Sequence, residues 1–176
     1  MARTVVPLVL LGVALVGCTS NEPGSPSAAT AITTDAEDAT TSTRPVSGGA
    51  SLADFDPCAP FNEIASQFGL TEIAEDDSTS CNAELSKSVS VRLDVHPTLG
   101  LADYRLLPHA EASDADVGAR KARLVKKTFS SSSCAMAMEV TSSSRIDVVA
   151  SANASLDEAC DAVTKLATAV EPNLPK

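Results

Sequence analysis

Tryptophan is absent from this chain, tyrosine occurs once, phenylalanine four times and histidine twice in 176 residues. That scarcity excludes several kinds of activity. A nucleic-acid-binding surface needs positive charge and stacking rings, whereas this chain carries a formal charge of −10 and almost no rings to stack. A hydrolase needs a base, and the only imidazoles are His96 and His109. No G-x-S-x-G and no H-E-x-x-H occurs, and no C-x-x-C pair marks a zinc site. Neither a metal nor a cofactor is therefore expected.

Long apolar runs are also rare. One exists, "VVPLVLLGVALV" at 5–16, preceded by a single positive charge at Arg3. It is shorter than the ~20 apolar residues of a bilayer-spanning helix and contains a proline, so residues 1–17 are expected to be a secretory signal. The run ends in Leu15-Val16-Gly17-Cys18, the aliphatic–small–Gly–Cys order of a bacterial lipobox. In that chemistry small residues clear the cleavage site and the Cys18 thiol takes up a diacylglycerol as a thioether. Cys18 is thus the expected lipidation site, and the partner it implies is a membrane, at the outer face of the cytoplasmic membrane. Several acyl chains hold far more durably than one, since each buried methylene contributes about 0.8 kcal/mol.

Residues 18–51 are rich in Thr, Ser, Ala, Pro and acid, without an aromatic. They cannot bury enough apolar surface to offset chain entropy, so they are expected to be a disordered tether. With a typical reach of about 30 Å, such a tether would float a domain above the membrane. Removing residues 1–17 takes away Arg3 alone and deepens the formal charge to −11.

Residues 52–176 are then a single domain. Its four cysteines, Cys58, Cys81, Cys134 and Cys160, are even in number in an exported context, which indicates two disulfides. In "SCAMAMEV" (133–140) Cys134, Met136, Met138 and Val140 share one phase of a strand. In "SLDEACDAVTKLATAV" (155–170) Leu156, Ala159, Cys160, Val163, Leu166, Ala167 and Val170 form a helical stripe, with Ser155 and Glu158 in capping-box positions. Both thiols face one interior, so Cys134–Cys160 is the simplest pairing and Cys58–Cys81 follows.

"DPCAPFNEIASQFGL" carries helix signals, with Asp56 or Ala59 at the cap, an apolar face of Phe61, Ile64, Ala65 and Phe68, and Gly69 as a stop. "SVSVRLDVH" alternates Val89, Val91, Leu93 and Val95 with Ser90, Arg92, Asp94 and His96, the clearest strand in the chain. "TEIAEDDSTS" and "EASDADVG" read as acidic loops, and "LADYRLLPHA" as a short helix ended by Pro108. "ARKARLVKKTF" reads as a strand, and "SCAMAMEV" with "RIDVVASA" as a hairpin around "TSSS". The expected fold is α+β, an antiparallel sheet covered by an N-terminal and a C-terminal helix and stapled by two disulfides.

Lipobox, Thr/Ser/Pro-rich tether, "FDPC" before a helix, a cysteine opening a hairpin, "VGARKARL", a cysteine-started strand and "DEACDAVTKLA" occur in that order. In this the chain resembles the actinobacterial lipoproteins gathered as domain-of-unknown-function family three-five-five-eight. Many of those carry a tryptophan two residues after the second domain cysteine, where this chain has Ala83. The resemblance implies attachment to an actinobacterial envelope and supplies no catalytic residue.

Several groups remain as candidates. His96 and His109 are expected to be solvated or capping rather than catalytic. Glu75, Asp76 and Asp77 could hold a hard cation, but a solvated acidic loop is the simpler reading. "SSSSC" (130–134) is expected to be a solvated turn. Ser155 in Asn153-Ala154-Ser155 is expected to be a helix cap rather than part of a glycosylation sequon. Arg120, Lys121, Arg123, Lys126 and Lys127 form a candidate anion or partner patch, weighed against a charged edge strand that resists aggregation. Met136 and Met138 suggest a lipid pocket, with core packing the default. The function this favours is a non-enzymatic envelope module that binds another envelope protein or an amphiphilic ligand. The alternatives are a hydrolase or transferase with an unconventional site and an accessory structural lipoprotein.

Overall fold

The computed structural model describes residues 51–153 and 155–176; the signal, Cys18 and the tether up to residue 50 lie outside the described residues. Helix α1 spans Ala59–Phe68 and helix α2 Leu156–Val170. Seven strands separate them: β1 Thr71–Asp77, β2 Ser80–Ser86, β3 Val89–His96, β4 Glu111–Val117, β5 Arg120–Lys126, β6 Ser133–Thr141 and β7 Ser144–Ala152. They make one antiparallel sheet in the order β1-β2-β3-β7-β6-β5-β4, so the two halves of the chain meet where β3 pairs with β7. The α+β architecture expected from periodicity is the one observed.

Each helix starts and stops where its local chemistry requires. The Asp56 carboxylate accepts from the Cys58 N–H at 2.8 Å just before α1, and Gly69 closes the helix at φ 68°, a left-handed conformation that glycine adopts without a Cβ penalty. At α2 the Ser155 hydroxyl accepts from the Glu158 N–H at 3.2 Å, while Ser88 donates to the Glu158 carboxylate at 3.3 Å, linking the helix start to the β2–β3 turn.

Both helices lie on one face of the sheet. Val91, Leu93 and Val95 of β3, Met136 and Met138 of β6, and Ile146 and Val148 of β7 meet Val163, Leu166 and Val170 of α2 and Phe61 and Ile64 of α1 in one core. Met138, Ile146, Val163 and Leu166 are fully buried, each contributing about 1.5–3 kcal/mol by removal from water. The methionines are core, not a pocket lining. Cys58 bonds to Cys81 and Cys134 to Cys160, the pairing that the phases of strand and helix favour. Each bridge therefore ties a helix to the sheet beneath it.

Three expectations are overturned. "TEIAEDD" and "EASDADV" are the two edge strands, β1 and β4, not loops. Acidic residues have low strand propensity, but an edge strand pairs on one side only and its charge discourages further pairing. The basic strand β5 is consequently not an edge; β4 covers it in unbroken register, with Asp114 opposite Arg123 and Asp116 opposite Lys121. Finally, "LADYRLLPHA" forms only a single 3-10 turn at Leu101–Asp103. The segment is instead fastened from the sheet: Arg145 donates to the carbonyls of Leu99 and Gly100, and Arg123 to that of Leu101.

Candidate functional site

The face of the sheet away from the helices is the polar phase of β3 and β7, and it holds an Arg-x-Asp pattern twice. Arg92 and Asp94 lie on β3, and Arg145 and Asp147 on the adjacent β7. Register sets Asp94 directly opposite Asp147 and His96 opposite Arg145. The Arg145 guanidinium donates to Asp147 at 3.0 Å, and both side chains are buried, 7% and 8% exposed. His96 Nε2 lies 3.1 Å from the other Asp147 oxygen. Arg92 bridges Asp94 and Asp76, each at 2.6 Å.

Desolvation pushes the Asp94 carboxyl above its ordinary value despite the Arg92 hydrogen bond, and the facing Asp147 adds to the rise. Two carboxylates opposite one another in partial burial repel, and the flanking arginines are what make the arrangement tolerable. At the β1 edge, hydrogen bonds from the Thr79 N–H and hydroxyl hold the Asp77 carboxyl below its ordinary value.

Segment 97–110 crosses this face and is fastened along its length. Arg145 holds the carbonyls of Leu99 and Gly100, and its guanidinium carbon stacks 5.0 Å from the Tyr104 ring centre, a favourable cation–π distance. The Tyr104 hydroxyl hydrogen-bonds that of Thr128 at 3.0 Å. Tyr104 and Ala110 pack on Val125, Ala135 and Val149 in a small second core. Gly100 sits so close to the backbone of Ser142, in the β6–β7 turn, that a Cβ there would collide with its carbonyl.

Between this segment, strands β3 and β7, and the turn after β5 lies a cleft of about 1030 Å³. Arg92, Asp94, His96, Arg145 and Asp147 form its charged floor, and Leu99, Leu107 and Phe129 its apolar walls. Phe129 and Arg92 also line a second depression of about 430 Å³ reaching Glu72 and Asn82, so the two join across the sheet. Phe129 is 64% exposed. The turn that presents it is rigid: Ser133, fully buried, accepts from the N–H groups of Phe129 and Ser130 and donates to the Ser130 carbonyl. The serine run is thus a turn whose last hydroxyl is an internal brace.

The residues singled out from sequence fall in different places. Cys18 lies outside the described residues. His96 is partly exposed to the cleft and also paired with the buried Asp147 carboxylate of the neighbouring strand; His109 is exposed. Among the described residues no group of three or more His, Cys, Asp or Glu side chains could hold a metal ion; Asp76 is bound to Arg92 and Asp77 caps its turn. The five bases do not gather into one patch. Arg120 points to the helix side, pairs with Glu171 and donates to the carbonyls of Glu139, Leu174 and Pro175. Lys121 pairs with Asp116, Arg123 with Asp114, and Lys127 with Glu111, while Lys126 is exposed.

Reasoning from sequence missed Arg92, Asp94, Arg145, Asp147, Tyr104 and Phe129 as a group. The signal was the repeated "RLD" and "RID" on the polar phase of two strands, which becomes a site only once those strands are known to be neighbours. No helix among the described residues is long and apolar enough to cross a membrane. Comparison with protein-family models, with curated proteins and with solved structures finds no match to this chain.

Proposed function

We propose that the protein is an exported, acyl-anchored envelope module that binds a partner or ligand on the helix-free face of its sheet and performs no chemistry on it. The observation that carries this reading is the clustering of exposed apolar side chains. The large hydrophobics exposed among the described residues are Leu99, Leu106, Leu107 and Phe129, and all belong to the cleft walls or the segment forming them. Apolar groups gathered at one concavity, with polar groups at its floor, are the usual make-up of a binding site. Anchoring through Cys18 and membership of the actinobacterial lipoprotein family belong to the same proposal and rest on the lipobox, the tether and the order of cysteines.

The test is site-specific photocrosslinking in living cells, with the photoreactive residue at Phe129 or, as a control, at exposed Thr164 on α2. The proposal expects adducts from position 129 and none from 164. Adducts from 164 alone would refute it. Mass analysis of the mature protein tests the anchor, which requires a diacylglyceryl group on Cys18.

One observation favours a second reading. His96 bound to the buried carboxylate of Asp147 beside a cleft is the base half of a hydrolytic site. Turnover of envelope esters lost on His96→Ala would establish it; turnover unchanged by His96→Ala would remove it.

A further inference from the structure

The cleft's walls and its charge balance together specify a class of ligand. Charged groups that line it answer one another with a single exception. Arg92 is held by Asp76 and Asp94, and Arg145 and His96 by Asp147. The Asp103 carboxylate accepts from the Gly100 N–H at 2.9 Å. Arg105 lines the cleft and is exposed, and among the described residues it has no ion-pair or hydrogen-bond partner. It lies in the same short segment as the apolar wall residues, flanked by Tyr104 and by Leu106 and Leu107.

We infer that the cleft takes a single-chain anionic amphiphile, its tail against Leu99, Leu107 and Phe129 and its carboxylate or phosphate head on Arg105. This deepens the reading of the helix-free face as the binding surface and rests on it. The volume of about 1030 Å³ lies at the upper end of the roughly 300–1,000 Å³ of small-molecule sites, large enough for an alkyl chain. A cationic head would find the cleft's carboxylates already engaged by arginine, histidine or backbone N–H. A bilayer surface is disfavoured as the occupant. Glu72 and Glu84 line the second depression on this face beside Arg92, which Asp76 already holds, so the acidic β1–β2 side would meet an anionic membrane with repulsion. A lone amphiphile enters beside that edge without bringing a charged plane against it.

The experiment is titration calorimetry of the full mature chain with laurate, decanoate, dodecylamine and dodecanol below their micellar concentrations, with circular dichroism to confirm that each variant is folded. The inference expects one laurate per chain. Decanoate, two methylenes shorter, binds about tenfold more weakly. Dodecylamine binds more weakly than dodecanol. Arg105→Gln lowers laurate affinity by about tenfold, the loss of one charge-assisted contact, and leaves dodecanol unchanged, while Arg105→Lys recovers much of the loss. Phe129→Ser weakens all four.

Equal affinity for laurate and dodecylamine, or no effect of Arg105→Gln on laurate, overturns the assignment of an anionic head. Attachment to phosphatidylglycerol vesicles without binding of dissolved laurate overturns it in favour of a bilayer contact. If no amphiphile binds but position 129 still crosslinks to a protein in cells, the inference falls and the binding-face reading stands. If crosslinking fails as well, both fall.

Discussion

Replacing Asp147 by alanine removes the one carboxylate that faces both Arg145 and His96. The Arg145 side chain is only 7% exposed, so its guanidinium cannot regain water without displacing the segment at 97–110. Taking away one member of a buried pair leaves an uncompensated charge and costs about 3–5 kcal/mol. A domain of this size is stable by about 5–15 kcal/mol, so a large fraction of its stability is lost. With a urea m-value of about 1.5 kcal/mol/M, the midpoint followed by circular dichroism should fall by about 2–3 M. Hydrogen exchange should quicken at 99–104, because Arg145 also holds the carbonyls of Leu99 and Gly100. The double variant Arg145→Met, Asp147→Val should regain much of the stability, since apolar residues of similar volume often replace a buried ion pair without loss. It should still leave 99–104 loose. A loss below about 1 kcal/mol for Asp147→Ala would refute the reasoning, for the pair would then behave as a surface salt bridge.

Other perturbations follow the same logic. Cys134→Ala with Cys160→Ala opens a link between residues 26 apart and should cost about 3.5 kcal/mol by the chain-entropy model; an unchanged urea midpoint would contradict it. Gly100→Ala should destabilise by about 1–3 kcal/mol, because its new Cβ meets the Ser142 backbone; a neutral outcome would show that the segment is not seated there. Arg120→Ala, which unlatches Glu171 and the carbonyls of Leu174 and Pro175, should cost about 2 kcal/mol, whereas exposed Lys126→Ala should stay within about 0.5 kcal/mol. In a carboxyl NMR titration Asp94 should titrate above 3.8 and Asp77 below it, and coincident midpoints would contradict both assignments. The signs are opposite. Asp94's contribution to stability is complete below 3.8 and lost as pH rises through its folded value; Asp77's is present above 3.8 and lost as pH falls through its lower folded value.

What the sequence made legible was whatever depends on local period. Alternation in "SVSVRLDVH" fixes the core phase of β3, and alternation in "SCAMAMEV" with the stripe from Leu156 to Val170 fixes those of β6 and α2, and with them the faces on which Cys134 and Cys160 meet. What stayed hidden depends on neighbours. Glu72, Asp76, Asp114 and Asp116 read as loop residues because nothing local shows that β2 and β5 supply a ladder for them on one side. "LADYRLL" has helical spacing, but the deciding partner, Arg145, lies more than 40 residues away on β7. The clustering of bases in 120–127 likewise suggests a patch until alternation divides it between two faces and β4 neutralises most of it. The cleft-bearing face is a product of the β3–β7 pairing, and no window of sequence contains both strands.

Hydrogen exchange of the mature protein, measured alone and with its saturating envelope ligand fraction, tests the central claim most directly. Slowed exchange confined to 97–107 and 128–130, with α2 and β4 unchanged, is the result expected of a ligand seated on the helix-free face. Protection on α2 or along β4 with none at 97–107 would contradict it.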